Sequence, residues 1–330
     1  MNAQPIQLPI TAHVPVIAPL SGIQYELAAG GYRATVASVG ASLRVLTNRG
    51  QDLVVPFEAD EIRPGFRGAV LAPWPNRVVD GRYQFAGTTE QLALTEPARG
   101  HALHGLAAWQ DWTLISHGPS WVELGHTIQA QAGYPHRIAL VVRYELDGDG
   151  LESTVTAVNT GASAAPYGTG PHPYLVAGSG RVDDWSLELP ADRVLTVTPD
   201  RLSPIDIQDV TTALGGVFDF RANSIAAEQP RSISGTFIDH AFTGLQRDAQ
   251  DRATVRVLTA SGTGVEMSWG SECPWVQIHT ADNEDPLESR RGLAVEPMTC
   301  PPDAFNSGSD LIVLLPGGSH TASWRIAAFS

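Results

Sequence analysis

Glycine and proline interrupt this chain so often that long helices are excluded. The 330 residues include 32 glycines and 24 prolines, about one residue in six. Helical periodicity is weak throughout, with single turns at most at 224–228 and 303–306. Between the breaks lie short runs typical of β-strands, among them 32–39, 122–128, 138–146, 151–158, 253–258, 265–269 and 276–280. The pattern predicts an all-β fold, a large antiparallel β-sandwich.

Three glycine-rich segments predict where adjacent strands turn back on each other. Asp147-Gly148-Asp149-Gly150 separates two strand-like runs, and Ser261-Gly262-Thr263-Gly264 separates two more. Pro316-Gly317-Gly318 lies between apolar runs near the C-terminus. Glycine supplies the positive φ angles of hairpin turns, so each segment predicts a β-hairpin. No repeat or linker divides the chain, which predicts a single domain over 1–330, with residues 1–20 as an N-terminal extension or edge segment.

Charge and residue usage exclude several classes of function. Asp and Glu number 35 against 21 basic residues, and every basic residue is arginine. Without a positive cluster we expect no nucleic-acid partner and no membrane partner. Without lysine, Schiff-base chemistry, pyridoxal phosphate attachment and a Walker phosphate loop are excluded. No secretory signal or membrane-length apolar stretch is visible, so we expect a cytoplasmic protein, either a monomer or a homodimer.

The two cysteines, Cys273 and Cys300, are too few for a disulfide framework or a cysteine-based zinc site. Both are expected to be inert, buried, small hydrophobic residues.

Glu296 occupies a position in the sequence where burial of a carboxylate is expected. It follows the apolar run Leu293-Ala294-Val295 and precedes Pro297. The run predicts a buried strand, and the proline is expected to end its hydrogen-bond ladder at the carboxylate. Because burial of a carboxylate costs desolvation energy, Glu296 is predicted to be either paired or functional.

His172 is held in a rigid segment, Gly170-Pro171-His172-Pro173-Tyr174. It is a candidate acid or base, and a hydrogen-bonded core histidine is the alternative. Tyr174 lies two residues further on and shares its face if the segment is extended.

Other polar residues are candidates for binding. Arg77, after Asn76 in a proline-rich segment, offers five donors in a fixed fork, whereas a simple ion pair is the alternative. His104 precedes a glycine that lets a ligand approach the backbone. His101 and His104 point to opposite faces if they lie on a strand, so no metal site is expected there, and His101 is predicted to be structural.

Asp239 and Gln277 are candidate binding residues because each is surrounded by apolar residues. The alternative for Asp239 is that it caps a turn, and the alternative for Gln277 is that it faces solvent on a strand. Trp74, Trp109 and Trp112 are candidate stacking walls for a ligand. No nucleophile elbow, dinucleotide fingerprint or HExxH motif occurs. With these motifs excluded, the candidate residues that remain are an acid and a base in a polar pocket with no cofactor. Such a site suits a small polyhydroxylated substrate.

These motifs, taken in order, resemble those of aldose 1-epimerases (galactose mutarotases) over roughly residues 20–328. The matching strings are Asn76-Arg77, Gly81-Arg82-Tyr83, His104-Gly105, His172-Pro173-Tyr174, Asp239-His240, Gln277, Glu296-Pro297 and Leu315-Pro316-Gly317-Gly318. The strings Ala72-Pro73-Trp74-Pro75-Asn76-Arg77 and His104-Gly105-Leu106 are similar to the bacterial subgroup that includes sulfoquinovose mutarotase-type proteins.

The resemblance implies a large β-sandwich that interconverts the α and β anomers of a hexopyranose. It implies that Glu296 takes the proton of the anomeric hydroxyl while His172 protonates the ring oxygen. It also implies that Asn76, Arg77, His104, Tyr174, Asp239 and Gln277 hold the sugar. Two alternatives stay open: a non-catalytic carbohydrate-binding protein on the same scaffold, and a hexose-6-phosphate 1-epimerase that uses Arg63 or Arg67 for the phosphate.

Overall fold

The computed structural model describes residues 18–222 and 230–330. Every strand pair within its sheets is antiparallel, as the short glycine-separated runs predict. Most of the predicted extension at 1–20 and the predicted turn at 224–228 lie outside the described residues. The predicted turn at 303–306 is a short α-helix, Ala304–Ser307.

Two large sheets dominate the described part of the chain. The nine-stranded sheet contains, in spatial order, Thr113–His117, Trp121–Ile128, Ile138–Asp147, Gly150–Asn159, Ser319–Phe329, Gly264–Trp269, Ala253–Leu258, Ser186–Glu188 and Arg231–Ser232. The six-stranded sheet contains Tyr174–Leu175, Leu293–Met298, Trp275–His279, Asp239–Leu245, Ala191–Val197 and Pro204–Asp209.

Smaller elements surround these sheets. A four-stranded sheet contains Gln24–Ala29, Tyr32–Ala37, Ser42–Asn48 and Gln51–Asp52. Two-stranded pairs are Val70–Leu71 with Gly170–Pro171, Arg77–Val79 with His101–Leu103, Arg82–Phe85 with Thr88–Gln91, and Ala165–Tyr167 with Ile312–Leu314. Single 3₁₀ turns occur at Pro64–Phe66, Val182–Asp184 and Ala213–Gly215.

One hydrophobic core joins the two large sheets. Leu140 and Val142 alternate with more exposed residues along a strand of the nine-stranded sheet, and both are buried. Phe242 and Ile278 are buried on the six-stranded sheet and belong to the same apolar cluster. The inner faces of the two sheets therefore pack against each other as a sandwich, since alternate residues of a strand point to opposite faces.

Two of the three predicted hairpins are confirmed. Asp147 pairs with Gly150, and Leu258 pairs with Gly264 across the second turn. Gly150 needs its positive φ of 132°, and a Cβ there would lie 2.4 Å from the Ile326 carbonyl oxygen. The interior position of its strand in the nine-stranded sheet thus leaves no room for a side chain.

The hairpin predicted around Pro316-Gly317-Gly318 is wrong. The strand before it, Ile312–Leu314, pairs with Ala165–Tyr167. The strand after it pairs instead with Gly150–Asn159 and Gly264–Trp269 of the nine-stranded sheet. The segment therefore connects two different sheets, a distinction that local turn residues do not encode.

Candidate active site

The outward face of the six-stranded sheet carries a row of polar side chains. Gln277 is directly opposite Glu296, and Asp239 is directly opposite His279. Their neighbours Val276, Ile278 and Val295 are buried in the core between the sheets. The alternation of side chains along each strand therefore places all four polar residues on the face that points away from that core.

The expectation that Glu296 ends its strand is wrong. The strand runs from Leu293 to Met298, and Met298 still pairs with Trp275 beyond Pro297. Proline removes only its own donor, and the ladder continues around it. Glu296 therefore lies within a buried strand, with 1% of its surface exposed.

A cavity of about 250 Å³ lies over this face of the sheet. All eight predicted site residues line it: Asn76, Arg77, His104, His172, Tyr174, Asp239, Gln277 and Glu296. The wall is completed by Gly65, Phe66, Glu96, Arg99, Leu103, His279 and Asp282. Residues as far apart in the sequence as Gly65 and Glu296 thus meet around one small space.

Glu296 and His172 form a buried pair at the cavity. The His172 Nε2 atom lies 3.4 Å from the Glu296 Oε1 atom. The other carboxylate oxygen, Oε2, is buried without a hydrogen-bond partner among the described residues. An unsatisfied buried carboxylate oxygen costs free energy, so its position is one that a ligand hydroxyl would stabilise.

Burial shifts both members of this pair towards their neutral forms. Desolvation, together with the charge of Asp239, raises the pKa of Glu296 well above its ordinary value. Desolvation, together with His279, lowers the pKa of His172 to about 3. Both shifts favour the neutral forms, in which the pair holds a single proton, and the contact between the two groups allows either of them to carry it.

His104 presents a defined hydrogen-bond donor. Its Nδ1 accepts a hydrogen bond from the Asn76 backbone N–H at 3.2 Å. Burial, with the nearby His172 and Arg77, lowers the pKa of His104 well below its ordinary value. A neutral imidazole whose Nδ1 accepts a bond carries its proton on Nε2. His104 is therefore a neutral N–H donor.

The backbone that holds His104 is strained. Asn76 has φ 56° and His104 has φ 60°, both in the left-handed region that costs a non-glycine residue free energy. The next residue, Gly105, has φ 75°, and a Cβ there would lie 2.2 Å from the Ala72 carbonyl oxygen. Glycine at position 105 is thus required for this close approach to the Ala72 backbone.

Arg77 is anchored by two carboxylates. Its Nε and Nη2 donate to the two oxygens of Glu96 at 2.8 and 3.0 Å, and Nη2 lies 3.8 Å from Asp239. Asp239 in turn accepts a hydrogen bond from the Gln277 amide at 2.6 Å. Burial opposes ionisation of Asp239, yet His279, Arg77 and Gln277 lower its pKa overall. A charged network therefore fixes the polar floor of the cavity.

The aromatic walls differ from the three tryptophans that the sequence suggested. Trp74 and Trp112 are 3% and 2% exposed and belong to the hydrophobic core. Trp109 packs against Phe66 and Arg63 without lining the cavity. The residues that contact His172 are instead Tyr174, with ring centroids 5.1 Å apart, and Phe66, at 6.2 Å.

His101 has the structural role that its position on a strand predicted. Its Nδ1 accepts a hydrogen bond from the Asp80 backbone N–H, and its Nε2 lies 3.0 Å from the Arg201 carbonyl oxygen. Cys273 and Cys300 are buried free thiols. Within 18–222 and 230–330, no group of three or more His, Cys, Asp or Glu residues is arranged to hold a metal. No helix in those ranges is long and apolar enough to span a membrane.

Several cavity residues were not anticipated. His279 had a usable signal, because it lies two positions after Gln277 on the same strand and so shares its face. Glu96, Arg99 and Phe66 lie outside the two large sheets, where no periodicity places their side chains. Their contribution depends on the tertiary arrangement alone.

Comparison with known proteins identifies the family. The model of the family described as aldose 1-epimerase matches residues 24–327. An uncharacterised Escherichia coli K12 protein, YihR, is 36% identical over 93% of each chain. The Escherichia coli K12 aldose 1-epimerase is 24% identical, with 72% of each chain covered.

Solved structures share the fold at lower identity. A galactose mutarotase-like protein from Clostridium acetobutylicum has a TM-score of 0.78 and 19% identity, covering 92% of this chain and 94% of its own. A galactose 1-epimerase from Lactobacillus acidophilus has a TM-score of 0.70 and 20% identity, covering 91% and 92%. The predicted large β-sandwich of galactose mutarotase type is confirmed, and the chain belongs to the aldose 1-epimerase family.

Proposed function

We propose that this protein is an isomerase, an aldose 1-epimerase that interconverts the α and β anomers of a hexopyranose. The observation that carries the proposal is the buried pair of Glu296 and His172 at the wall of a polar cavity. The Glu296 Oε1 atom lies 3.4 Å from the His172 Nε2 atom. The overall reaction neither gains nor loses protons or electrons. It therefore needs one acid and one base and no cofactor.

In the proposed mechanism, Glu296 accepts the proton of the anomeric hydroxyl while His172 gives its proton to the ring oxygen. The bond between the anomeric carbon and the ring oxygen breaks, and an open-chain aldehyde forms. Rotation about the C1–C2 bond exposes the other carbonyl face. Reclosure then returns both protons, so the single proton of the pair shifts from one group to the other and back in each cycle.

The remaining polar residues have binding roles in this proposal. His104 donates its Nε2 proton to a sugar oxygen, and Arg77 donates from the fork that Glu96 holds. Asp239, Gln277 and Asn76 offer further hydrogen-bonding groups, and Tyr174 forms a wall beside His172. Binding sites for small molecules such as sugars usually combine convergent polar groups with an aromatic surface.

The proposal is tested by anomer exchange. Freshly dissolved α-glucose and α-galactose, with phosphorylated and sulfonated hexoses beside them, are followed by polarimetry and by NMR. We expect the protein to accelerate equilibration of at least one neutral hexose far beyond the rate in buffer. Saturable sugar binding without acceleration would instead favour a carbohydrate-binding protein, and acceleration restricted to hexose 6-phosphates would favour the phosphate-specific alternative.

Replacement of Glu96 by glutamine is expected to raise KM for the hexose about tenfold, equivalent to ~1.4 kcal/mol, with a smaller change in kcat. The amide turns an N–H group towards one of the two Arg77 nitrogens that now donate to the carboxylate, so Arg77 loses its fixed orientation. Steady-state kinetics measure the effect. Glu145→Gln is the matched control, because Glu145 also pairs with an arginine but lies away from the cavity. An unchanged KM would contradict the positioning role of Glu96.

A further inference from the structure

Buried polar atoms without hydrogen-bond partners concentrate at the cavity that contains the acid and the base. Across residues 18–222 and 230–330, ten side-chain nitrogen or oxygen atoms are buried in this way, and five of them belong to residues that line the cavity. The five atoms are Arg99 Nε, His172 Nδ1, Gln277 Oε1, His279 Nδ1 and Glu296 Oε2. Such atoms cost free energy until a ligand satisfies them. The proposed reaction gives no role to His279.

His279 lies next to the reacting groups on the outward face of the six-stranded sheet. It is directly opposite Ala294 on one neighbouring strand and directly opposite Asp239 on the other. The Tyr174 ring packs edge-on against it, with ring centroids 6.5 Å apart. The side chain is 26% exposed and lines the cavity. The imidazole is therefore held by its neighbours where a bound sugar can reach it.

A gap of defined width separates His279 from Asp239. The His279 Nδ1 atom lies 4.0 Å from the Asp239 Oδ2 atom, beyond the ~2.7–3.2 Å of a hydrogen bond. A hydroxyl oxygen placed beside the two atoms can lie about 2.8 Å from each of them. The Gln277 amide donates to the other oxygen, Oδ1, at 2.6 Å, which fixes the orientation of the carboxylate. A hydroxyl both donates and accepts hydrogen bonds, so one such group would satisfy both residues.

The place of this gap on the sheet excludes the anomeric hydroxyl as its occupant. In the proposed reaction the anomeric hydroxyl binds Glu296, and Gln277 is the residue directly opposite Glu296. His279 is two positions beyond Gln277, about 7 Å further along the strand. A sugar whose anomeric carbon lies at Glu296 therefore presents a different hydroxyl to His279.

We propose that His279 and Asp239 together bind one hydroxyl of the sugar, other than the anomeric hydroxyl, and that His279 thereby selects hexoses that carry this group. This inference rests on the proposed epimerase activity. His279 transfers no proton in the reaction, and its contribution is a hydrogen bond to the substrate.

The test measures anomer exchange by NMR for glucose and for its 2-deoxy, 3-deoxy, 4-deoxy and 6-deoxy analogues, in the wild type and in His279→Phe. Phenylalanine keeps a ring but offers no hydrogen-bonding atom. We expect kcat/KM for glucose to fall about tenfold, mainly through KM. For one deoxy sugar the same substitution is expected to cost less than about twofold, because the missing hydroxyl has already removed the interaction. His279→Ala is expected to give the same pattern and replaces the phenylalanine variant if that protein does not fold.

His320→Phe is the matched control. His320 is a partly buried histidine whose Nδ1 is also buried without a partner among the described residues, but it lies on the nine-stranded sheet and does not line the cavity. An equal loss for glucose and for all four deoxy sugars would overturn the inference, since His279 would then only support Asp239. Unchanged glucose kinetics in His279→Phe would overturn it as well. If the wild type accelerates no sugar at all, the proposed epimerase activity itself fails, and the inference fails with it.

Discussion

Replacement of Glu296 by glutamine is expected to lower kcat for anomer exchange by about 10²–10⁴, the usual worth of a general base. Glutamine keeps the shape of the side chain but cannot accept a proton from the anomeric hydroxyl. Glu296 is 1% exposed and lies in the middle of a paired strand, so a carboxylate from solution cannot reach this position and replace the missing base. Anomer exchange measured by NMR at saturating sugar gives the loss directly.

Two observations separate this loss from misfolding. The variant removes a buried ionisable group whose burial is itself costly, so the free energy of unfolding is expected to stay equal to or above that of the wild type. Glu266→Gln is the matched control, because Glu266 also lies on an inner strand but pairs with Arg256 on the other large sheet. Full activity in Glu296→Gln would reject Glu296 as the base.

Much of the fold followed from local chemistry. Short runs separated by glycine and proline predicted antiparallel strands, and two hairpins formed where glycine supplies positive φ. The turn at 316–318 failed as a hairpin because pairing partners depend on the whole sheet. Trp74 and Trp112 failed as ligand walls for a related reason: a large aromatic residue gains more from core packing than a sequence pattern can reveal.

The sequence predicted those cavity residues that are polar side chains within an otherwise apolar strand. A carboxylate and an amide among apolar residues signalled Glu296 and Gln277, and the two-residue period would have added His279. Glu96 and Arg99 carried no such signal, since Glu96 meets Arg77, and Arg99 meets Glu96, only through the tertiary fold of a loop. The residues that the sequence did not predict here, Glu96 and Arg99, are thus the ones that hold the predicted Arg77 in position.

Replacement of His172 by asparagine is expected to lower kcat by about 10²–10⁴, because the amide cannot protonate the ring oxygen. His126→Asn is the matched control, since His126 is a half-buried histidine on a strand of the nine-stranded sheet. Rates of anomer exchange again measure the effect. Activity at the wild-type level in His172→Asn would exclude His172 as the acid.

The pH dependence distinguishes an acid from a structural histidine. In the wild type the coupled pair keeps its single proton, since the pKa of His172 is lowered to about 3 and that of Glu296 is raised. We therefore expect kcat/KM to stay flat from about pH 5 upwards until the pH approaches the raised pKa of Glu296.

In His172→Asn the residual activity depends on Glu296 alone, which acts as a base only when it is ionised. Because burial raises its pKa, ionisation and rate are expected to increase together as the pH rises. A flat profile in the wild type and a rising one in the variant would show that the two groups share one proton. An identical profile in both proteins would mean that His172 only supports the wall of the cavity.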